Sequence, residues 1–455
     1  MYLNGVAVLP LKIRSRLGRL GAAVMVGVTL CATVPGVAAA EPAASRDAAR
    51  SCGLPAFLSL CPPGTVVLDG GQLVRNKLAL FAGDRTMRTS LNALLAQADV
   101  ALTKGPWSVM DKKQVPPSGD RHDYMSLAPY WWPTQPQTPE NPQGCPYVER
   151  DGVRNPATDA IPDKPSRLTA FNSIYQLSLA WYYTRNPEYA RRAALDLRTW
   201  FLEAGTRMNP NLNFAQGIPC KTDGRGIGII EFAYTFTQVL DAAAILNTGA
   251  PGWSGNDDAG LKSWSGEFLS WLQTGKNGKD EAAQQNNHGT FYDMLTAGIA
   301  LYTGNADAAR KIVKSAETAR IDKQIAADGS QPMEATRTRS YHYFTFNLVA
   351  MTRLARVGQH VGVDLWAYRT PEGGSLAKAV GFLIPAATGG QTKWPFAETN
   401  FTQYAALDAL HAAADAGDRP AKAALRHVPA PPGGDLYPVR PAAEQLDDIS
   451  VVTPG

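Results

Sequence analysis

The chain contains no Cys-x-x-Cys spacing and no pair of histidines set to share a ligand, which argues against a zinc site; no other metal or cofactor is expected. It also lacks a surplus of charge where one would matter. The formal +4 arises in residues 1–40, which carry Lys12, Arg14, Arg16 and Arg19 and no acid; without them 44 − 4 = 40 basic residues face 40 acidic ones. A neutral chain gives no reason to expect nucleic acid or a membrane as partner, and an acidic polymer would need a local basic groove. The low-hydrophobicity signature of disorder is absent too. With 45% hydrophobic and 18% charged residues, 455 residues can bury a large core as one big domain or two smaller ones.

Residues 1–40 read as a cleaved signal peptide. A basic start is followed by an apolar run from Leu20 to Val37, broken by Pro35-Gly36, and Ala38-Ala39-Ala40 fits the small-residue cleavage rule before Glu41. The Gly, Pro and terminal alanines favour removal over an uncleaved anchor. The chain is therefore expected to be exported, to the periplasm or beyond, and to act as a monomer. Cys52, Cys61, Cys145 and Cys220 remain. An even count in an exported protein favours disulfides, most simply Cys52–Cys61 and Cys145–Cys220, out of three connectivities.

The expected organisation is a loop-rich segment over 41–85, an all-α domain over 86–417, and a Pro/Ala/Gly-rich extended tail over 418–455. Val66-Val67-Leu68 suggests a short strand. Leu91, Leu94, Leu95, Ala98 and Leu102 recur at helical spacing. Residues 104–166 form a long proline-rich connection whose aromatics argue for an ordered, functional loop. From Leu168 helix follows helix, over 228–247, 259–273, 288–302, 340–360, 375–386 and 402–416. A weak internal repeat relates Leu179–Arg192 to Ile299–Lys311: an apolar helix end, a turn with Asn, then an alanine-rich helix with Arg. Stacked hairpins of this kind make a solenoid or curl into a toroid. The long loops at 104–166, 205–227 and 275–288 favour an incomplete (α/α) toroid with its loops round one mouth.

Three segments carry candidate chemistry. Asn286-Asn287-His288 stands at a helix entry after the charged, flexible loop Gly275–Glu281; capping explains one Asn but gives His288 no role. Arg337 and Arg339 lie before the apolar helix that begins near Ser340. Cations are unfavourable at that positive helix end unless an acid is near, either Glu334 or a bound uronate. Tyr341, His342 and Tyr343 point to successive faces, so one or two of them can meet a cleft. The third segment runs through His122, Tyr124, Tyr130, Trp131 and Trp132 to Pro133, and aromatic rings on loops stack against sugar faces. Together these supply an amide and guanidinium for a carboxylate, and an imidazole and phenol to move protons.

These residues resemble the alginate lyase family of polysaccharide lyases. The likeness rests on Asn286-Asn287-His288, on Glu334-x-x-Arg337 followed by Tyr343, and on the segment 123–133, and it spans roughly Lys104 to Tyr404. It implies an incomplete α/α toroid and β-elimination on an anionic 1,4-linked polysaccharide, alginate first and glucuronan or a related uronan next. By the same resemblance Asn287 and Arg337 neutralise the substrate carboxylate, His288 is the base or assists neutralisation, and Tyr343 is the acid or both acid and base. Arg339, His122, Tyr124, Tyr130, Trp131 and Trp132 are expected to bind substrate. Members acting on mannuronate-rich alginate commonly continue Asn-His with Ser-Tyr-Trp, whereas Gly289-Thr290-Phe291-Tyr292 follows here, and the Tyr130–Cys145 insertion looks like a divergent branch. Two rivals stand beside the lyase. A glycoside hydrolase on the same architecture would need two opposed carboxylates among Glu231, Asp293 and Glu334; an exported helical-repeat carbohydrate-binding protein would show no turnover.

Overall fold

Residues 62–439 are described by the computed structural model. The expected leader and the Cys52–Cys61 pair lie outside the described residues. The described helices are α1 (Gly70–Phe81), α2 (Arg85–Leu102), α3 (Asp163–Thr184), α4 (Pro187–Phe201), α5 (Ile230–Leu246), α6 (Gly255–Thr274), α7 (Lys276–Ala282) and α8 (Asn287–Tyr302). They continue as α9 (Ala306–Ala316), α10 (Asp322–Gln324), α11 (Pro332–Ala335), α12 (Ser340–His360), α13 (Leu376–Gly389), α14 (Leu407–Asp415) and α15 (Arg419–Ala424).

The repeat seen in the sequence is a helical hairpin used twice. In α3–α4 the turn residue Asn186 caps α4 by accepting from the Glu188 N–H, and in α8–α9 Asn305 caps α9 by accepting from the Ala308 N–H. The first helix of each hairpin is buried almost all round, and the second buries one stripe and turns its arginines outward. Helix α5 is the extreme case, with every residue buried. The stretch Gly226–Leu246 is long and apolar enough to cross a membrane, but its most apolar window is wholly buried in the protein. The inner helices pack in chain order, α3 on α5, α5 on α8 and α8 on α12, giving the incomplete (α/α) toroid.

The 104–166 connection is ordered by two small pairings. Strand β1 (Met125–Leu127) runs parallel to β4 (Phe214–Gly217); β2 (Trp131–Pro133) is antiparallel to β3 (Tyr147–Glu149), with Trp131 opposite Glu149. The expected Cys145–Cys220 disulfide ties this connection to the loop after β4.

Four local expectations fail, each for an identifiable reason. Asp69-Gly70-Gly71 reads as a turn, but the Asp69 carboxylate accepts from the Gln72 N–H and opens α1 inside the supposedly loop-rich segment. Val66–Leu68 is not a strand: its three N–H groups donate to the buried Asp241 carboxylate on α5, at 2.5 to 3.1 Å. The charged stretch after Gly275 is helix α7, with Gly278 and Glu281 facing inward. The start of the expected tail folds back, forming α15 and burying Leu436 and Val439 in the core, while the Pro438 carbonyl accepts from Asn76.

Asp241 is thus the anchor that holds the start of the described chain on an inner helix. Asp241→Ala strands three buried N–H groups, and the expected loss of stability is about 3 kcal/mol or more. Urea denaturation of the variant against the parent measures it; an unchanged midpoint would show that water takes the place of the carboxylate.

Candidate active site

One cleft of about 450 Å³ opens where the first turns of α8 and α12 face the β2–β3 aromatic segment and the loop between β4 and α5. Asn287, His288, Arg337 and Tyr343 all line it, together with Tyr130 and Trp131.

The α8 side is built from the helix entry. The Asn286 side chain caps the helix by accepting from the His288 N–H at 3.2 Å, so capping and site formation coexist in neighbouring residues. Asn287 is buried, and Glu334 holds it twice. Glu334 accepts from the Asn287 backbone N–H at 2.8 Å and from its side-chain nitrogen at 3.0 and 2.9 Å. Seen from that nitrogen, the two carboxylate oxygens lie too close together to take one hydrogen each at the wide H–N–H angle of a planar amide. They share one N–H and leave the second directed elsewhere. His288 places Nδ1 at 2.8 Å from Oε1 of the fully buried Glu281. A carboxylate only accepts, so Nδ1 carries the hydrogen, and in the neutral ring Nε2 is the nitrogen with the lone pair.

The α12 side is built from a loop arginine and a tyrosine one turn into the helix. Arg337 does not pair with Glu334. Its Nη2 lies 2.6 Å and its Nε 3.3 Å from the Asp151 carboxylate, which also accepts from Thr338. Burial alone would raise the Asp151 carboxyl, but the Arg337 hydrogen bond and charge outweigh it and hold it below the usual range. The Arg337 guanidinium lies 3.6 Å from the centre of the Tyr343 ring. Tyr343 is 7% exposed and its hydroxyl is 3.1 Å from that of Tyr130. Burial and the neighbouring Tyr130 push the Tyr343 phenol well above its ordinary value, and the opposing pull of Arg337 does not cancel them.

The structure does not bring every expected residue to the cleft. Tyr124 is fully buried and donates to Glu231 at 2.8 Å, so it supports a cleft wall instead of stacking on sugar. His122 gives its Nδ1 to the Arg207 carbonyl, and Trp132 donates to the Val153 carbonyl with Arg150 over its ring. Neither lines the cleft. Arg339 is buried, with its stem against the position of Gly152, and is likewise absent from the lining. Tyr341 and His342 pack inward, against Trp394 and Phe346 respectively. The segment reading missed Glu281 and Asp151. Glu281 sits one short helix before His288 in a stretch read as flexible, and Asp151 precedes a glycine of positive φ, an Asp-Gly turn signal within the long connection. Lys164, Arg225 and Gln216 also line the cleft and carried no motif.

An incomplete helical toroid with an amide, an imidazole, a guanidinium and a phenol gathered in one cleft defines a polysaccharide lyase. The sequence profile of the alginate lyase family matches residues 108–394, and the chain belongs to that family. It is similar to the crystal structure of an alginate lyase from Bacteroides ovatus, at 33% identity and a TM-score of 0.77, covering 84% of this chain and 100% of that one. Alginate lyase A1-III from Sphingomonas species A1 shares the fold at 18% identity and a TM-score of 0.50, over 84% of this chain and 97% of its own. No curated protein matches.

The Glu281 contact sets the His288 tautomer, and nitrogen-15 spectra of histidine-labelled protein read it directly. At a pH where the ring is neutral, the parent is expected to show it protonated on Nδ1. Glu281→Ala is expected to move it toward the Nε2-protonated form that free histidine prefers. An unchanged tautomer would remove Glu281 from this role.

Proposed function

We propose that this chain cleaves a 1,4-linked uronate polymer, alginate foremost and glucuronan or a related uronan next, by β-elimination. It is exported by its N-terminal signal and acts as a single chain on an anionic polysaccharide. The observation that carries the proposal is the convergence of Asn287, His288, Arg337 and Tyr343 on one cleft. Alginate is placed first because the Bacteroides ovatus relative is an alginate lyase. Export is supported by the composition of residues 1–40, and a Cys145–Cys220 disulfide suits an oxidising compartment.

The chemistry follows from the charge problem. Removing the C5 proton of a uronate puts a second negative charge next to an ionised carboxylate. The remaining Asn287 N–H, the Arg337 guanidinium and the positive end of α8 stabilise that developing dianion, and each preorganised donor contributes about 3 kcal/mol. His288 Nε2 takes the C5 proton, and the C–H electrons pass into the carboxylate. They return to form the C4–C5 double bond as the C4–O bond breaks, and Tyr343 delivers its proton to the departing oxygen. The phenolate recovers a proton through Tyr130, whose hydroxyl is 3.1 Å away. This division assigns the proton-donating step to the group whose burial keeps it protonated. It assigns the accepting step to the imidazole whose other nitrogen is held by Glu281. No water is consumed.

The hydrolase alternative asks for two opposed, accessible carboxylates. Of the three candidates only Glu231 lines the cleft, where it is buried and accepts from Tyr124 and Ser126. Asp293 pairs with Arg320 and Glu334 is sealed against Asn287, and neither lines the cleft.

Tyr343→Phe and His288→Ala are each expected to cut turnover by at least ~100-fold with the fold intact. Absorbance of the unsaturated product in the ultraviolet follows the reaction across a panel of uronans. Near-normal activity in either variant would take that residue out of the mechanism, and reducing ends formed without ultraviolet absorbance would replace elimination by hydrolysis.

A further inference from the structure

Each cation lining the cleft has an acidic neighbour except one. Arg337 pairs with Asp151, Arg154 with Asp159, and Lys164 stands 3.6 Å from Glu231. No carboxylate among the described residues comes within ion-pair distance of Arg225. Glu149, Glu231 and Glu281 act on it only through longer-range charge, and burial makes its charged form less favourable.

This guanidinium is nevertheless held with care. Its Nε donates to the Gln216 carbonyl at 3.2 Å and its Nη2 to the Gln216 side-chain oxygen at 2.8 Å. Gln216 is itself fixed in a left-handed backbone conformation, φ 51°, which a non-glycine residue keeps only where its surroundings over-determine it. Here its N–H donates to Ser126 Oγ at 2.8 Å, and that hydroxyl donates to the buried Glu231 at 2.7 Å. The backbone on either side of Arg225 has no slack. A Cβ on Gly224 would lie 2.0 Å from the Asn213 carbonyl, and one on Gly226 would lie 2.7 Å from the Asn277 carbonyl. A rigid, partly desolvated guanidinium with no carboxylate in contact, facing a cleft, is set to take an anion.

We propose that Arg225 binds the carboxylate of a second uronate, adjacent to the unit that loses its proton, and thereby selects runs of contiguous uronates. The inference rests on the polyuronate reading above. Arg225 stands on the β4–α5 loop, a different element from the turns that carry Asn287 and Arg337; those two already meet the reacting carboxylate, and the proposal gives Arg225 the neighbouring one. Polymers that alternate uronate with a neutral sugar would leave this partly buried guanidinium without its anion, at a cost in affinity.

The test uses polymannuronate, native and with a fraction of its carboxyl groups reduced to primary alcohols, on the full chain. Arg225→Gln is expected to raise KM on the native polymer at least ~10-fold while kcat stays within ~3-fold, because the lost contact is made equally before and during the reaction. Arg225→Lys keeps the charge without the Gln216 contacts and is expected to fall between. On the reduced polymer, mass spectra of parent products should show an intact uronate next to each cut, whereas Arg225→Gln should cut beside reduced units as well. Unchanged KM in both variants, or identical product flanks in parent and Arg225→Gln, overturns the assignment. A parent that forms no unsaturated product from any polyuronate fails the underlying reading instead, so the two failures are distinct.

Discussion

Glu334 accepts from both the backbone and the side-chain nitrogen of Asn287, and that contact joins the entry of α8 to the turn before α12. The two inner helices carry the imidazole and the phenol separately, and their first turns must be held in register for the pair to face one sugar ring. Burial raises the Glu334 carboxyl, while the Asn287 hydrogen bonds and the charge of Arg337 pull the other way. A sealed carboxylate in such a position is tolerated because its lone pairs are met by N–H groups on the opposing helix.

The same device recurs behind several polar groups in and around the cleft. Glu281 stands behind His288, Asp151 behind Arg337, and Glu231 behind Ser126 and Lys164. Acids are a costly choice beside a site meant for an anion, since each repels the substrate it helps to place. Their distribution limits that cost. Glu281 and Glu334 are fully sealed and Asp151 is bound by Arg337 and Thr338, so their charge is spent on neighbouring donors before a ligand arrives. The substrate then meets donors whose orientation is already fixed, which is the condition for electrostatic stabilisation without reorganisation.

How much of this could be read in the sequence divides along a physical line. Features carried by neighbouring residues were legible. The Asn-capped hairpins repeat at 186 and 305, the inner helices are apolar on every side, and Asn287-His288 and Arg337 with Tyr343 stand at helix entries. Features that depend on a partner far along the chain were not. Nothing local marks Glu281 as the histidine's partner once its short helix is taken for a charged loop, and Asp151 reaches Arg337 across 186 positions. Tyr124 and Trp132 share the composition of a sugar platform with Tyr130 and Trp131, yet each is claimed by a partner elsewhere in the chain, Tyr124 by Glu231 and Trp132 by the Val153 carbonyl. Arg339 is drawn away from the cleft by its backbone bridge to Glu398 and the packing of its stem beside Gly152, whereas Arg337 turns to Asp151 at the cleft.

The residues after His288 offer a last step of this reasoning. A Cβ at Gly289 would lie 2.1 Å from the Gln284 carbonyl and 2.3 Å from Arg320 Nη1, so no side chain fits there without displacing the arginine. Arg320 is presented by the π-helical turn Glu317–Ile321, and its guanidinium donates to the carbonyls of Ala282 and Gln284 and to Asp293 on α8. It therefore clamps the link between α7, which carries Glu281, and α8, which carries His288. Where relatives continue Asn-His with Ser-Tyr-Trp, a serine in place of Gly289 would be incompatible with this clamp. The departure is then a second way of bracing His288 from behind, and it bears on how the imidazole is held more than on which sugar is cut. The proposed discrimination among uronans lies instead on the opposite side of the cleft, lined by the β4–α5 loop and the Trp131 ring, with Lys221 4.1 Å from the ring centre.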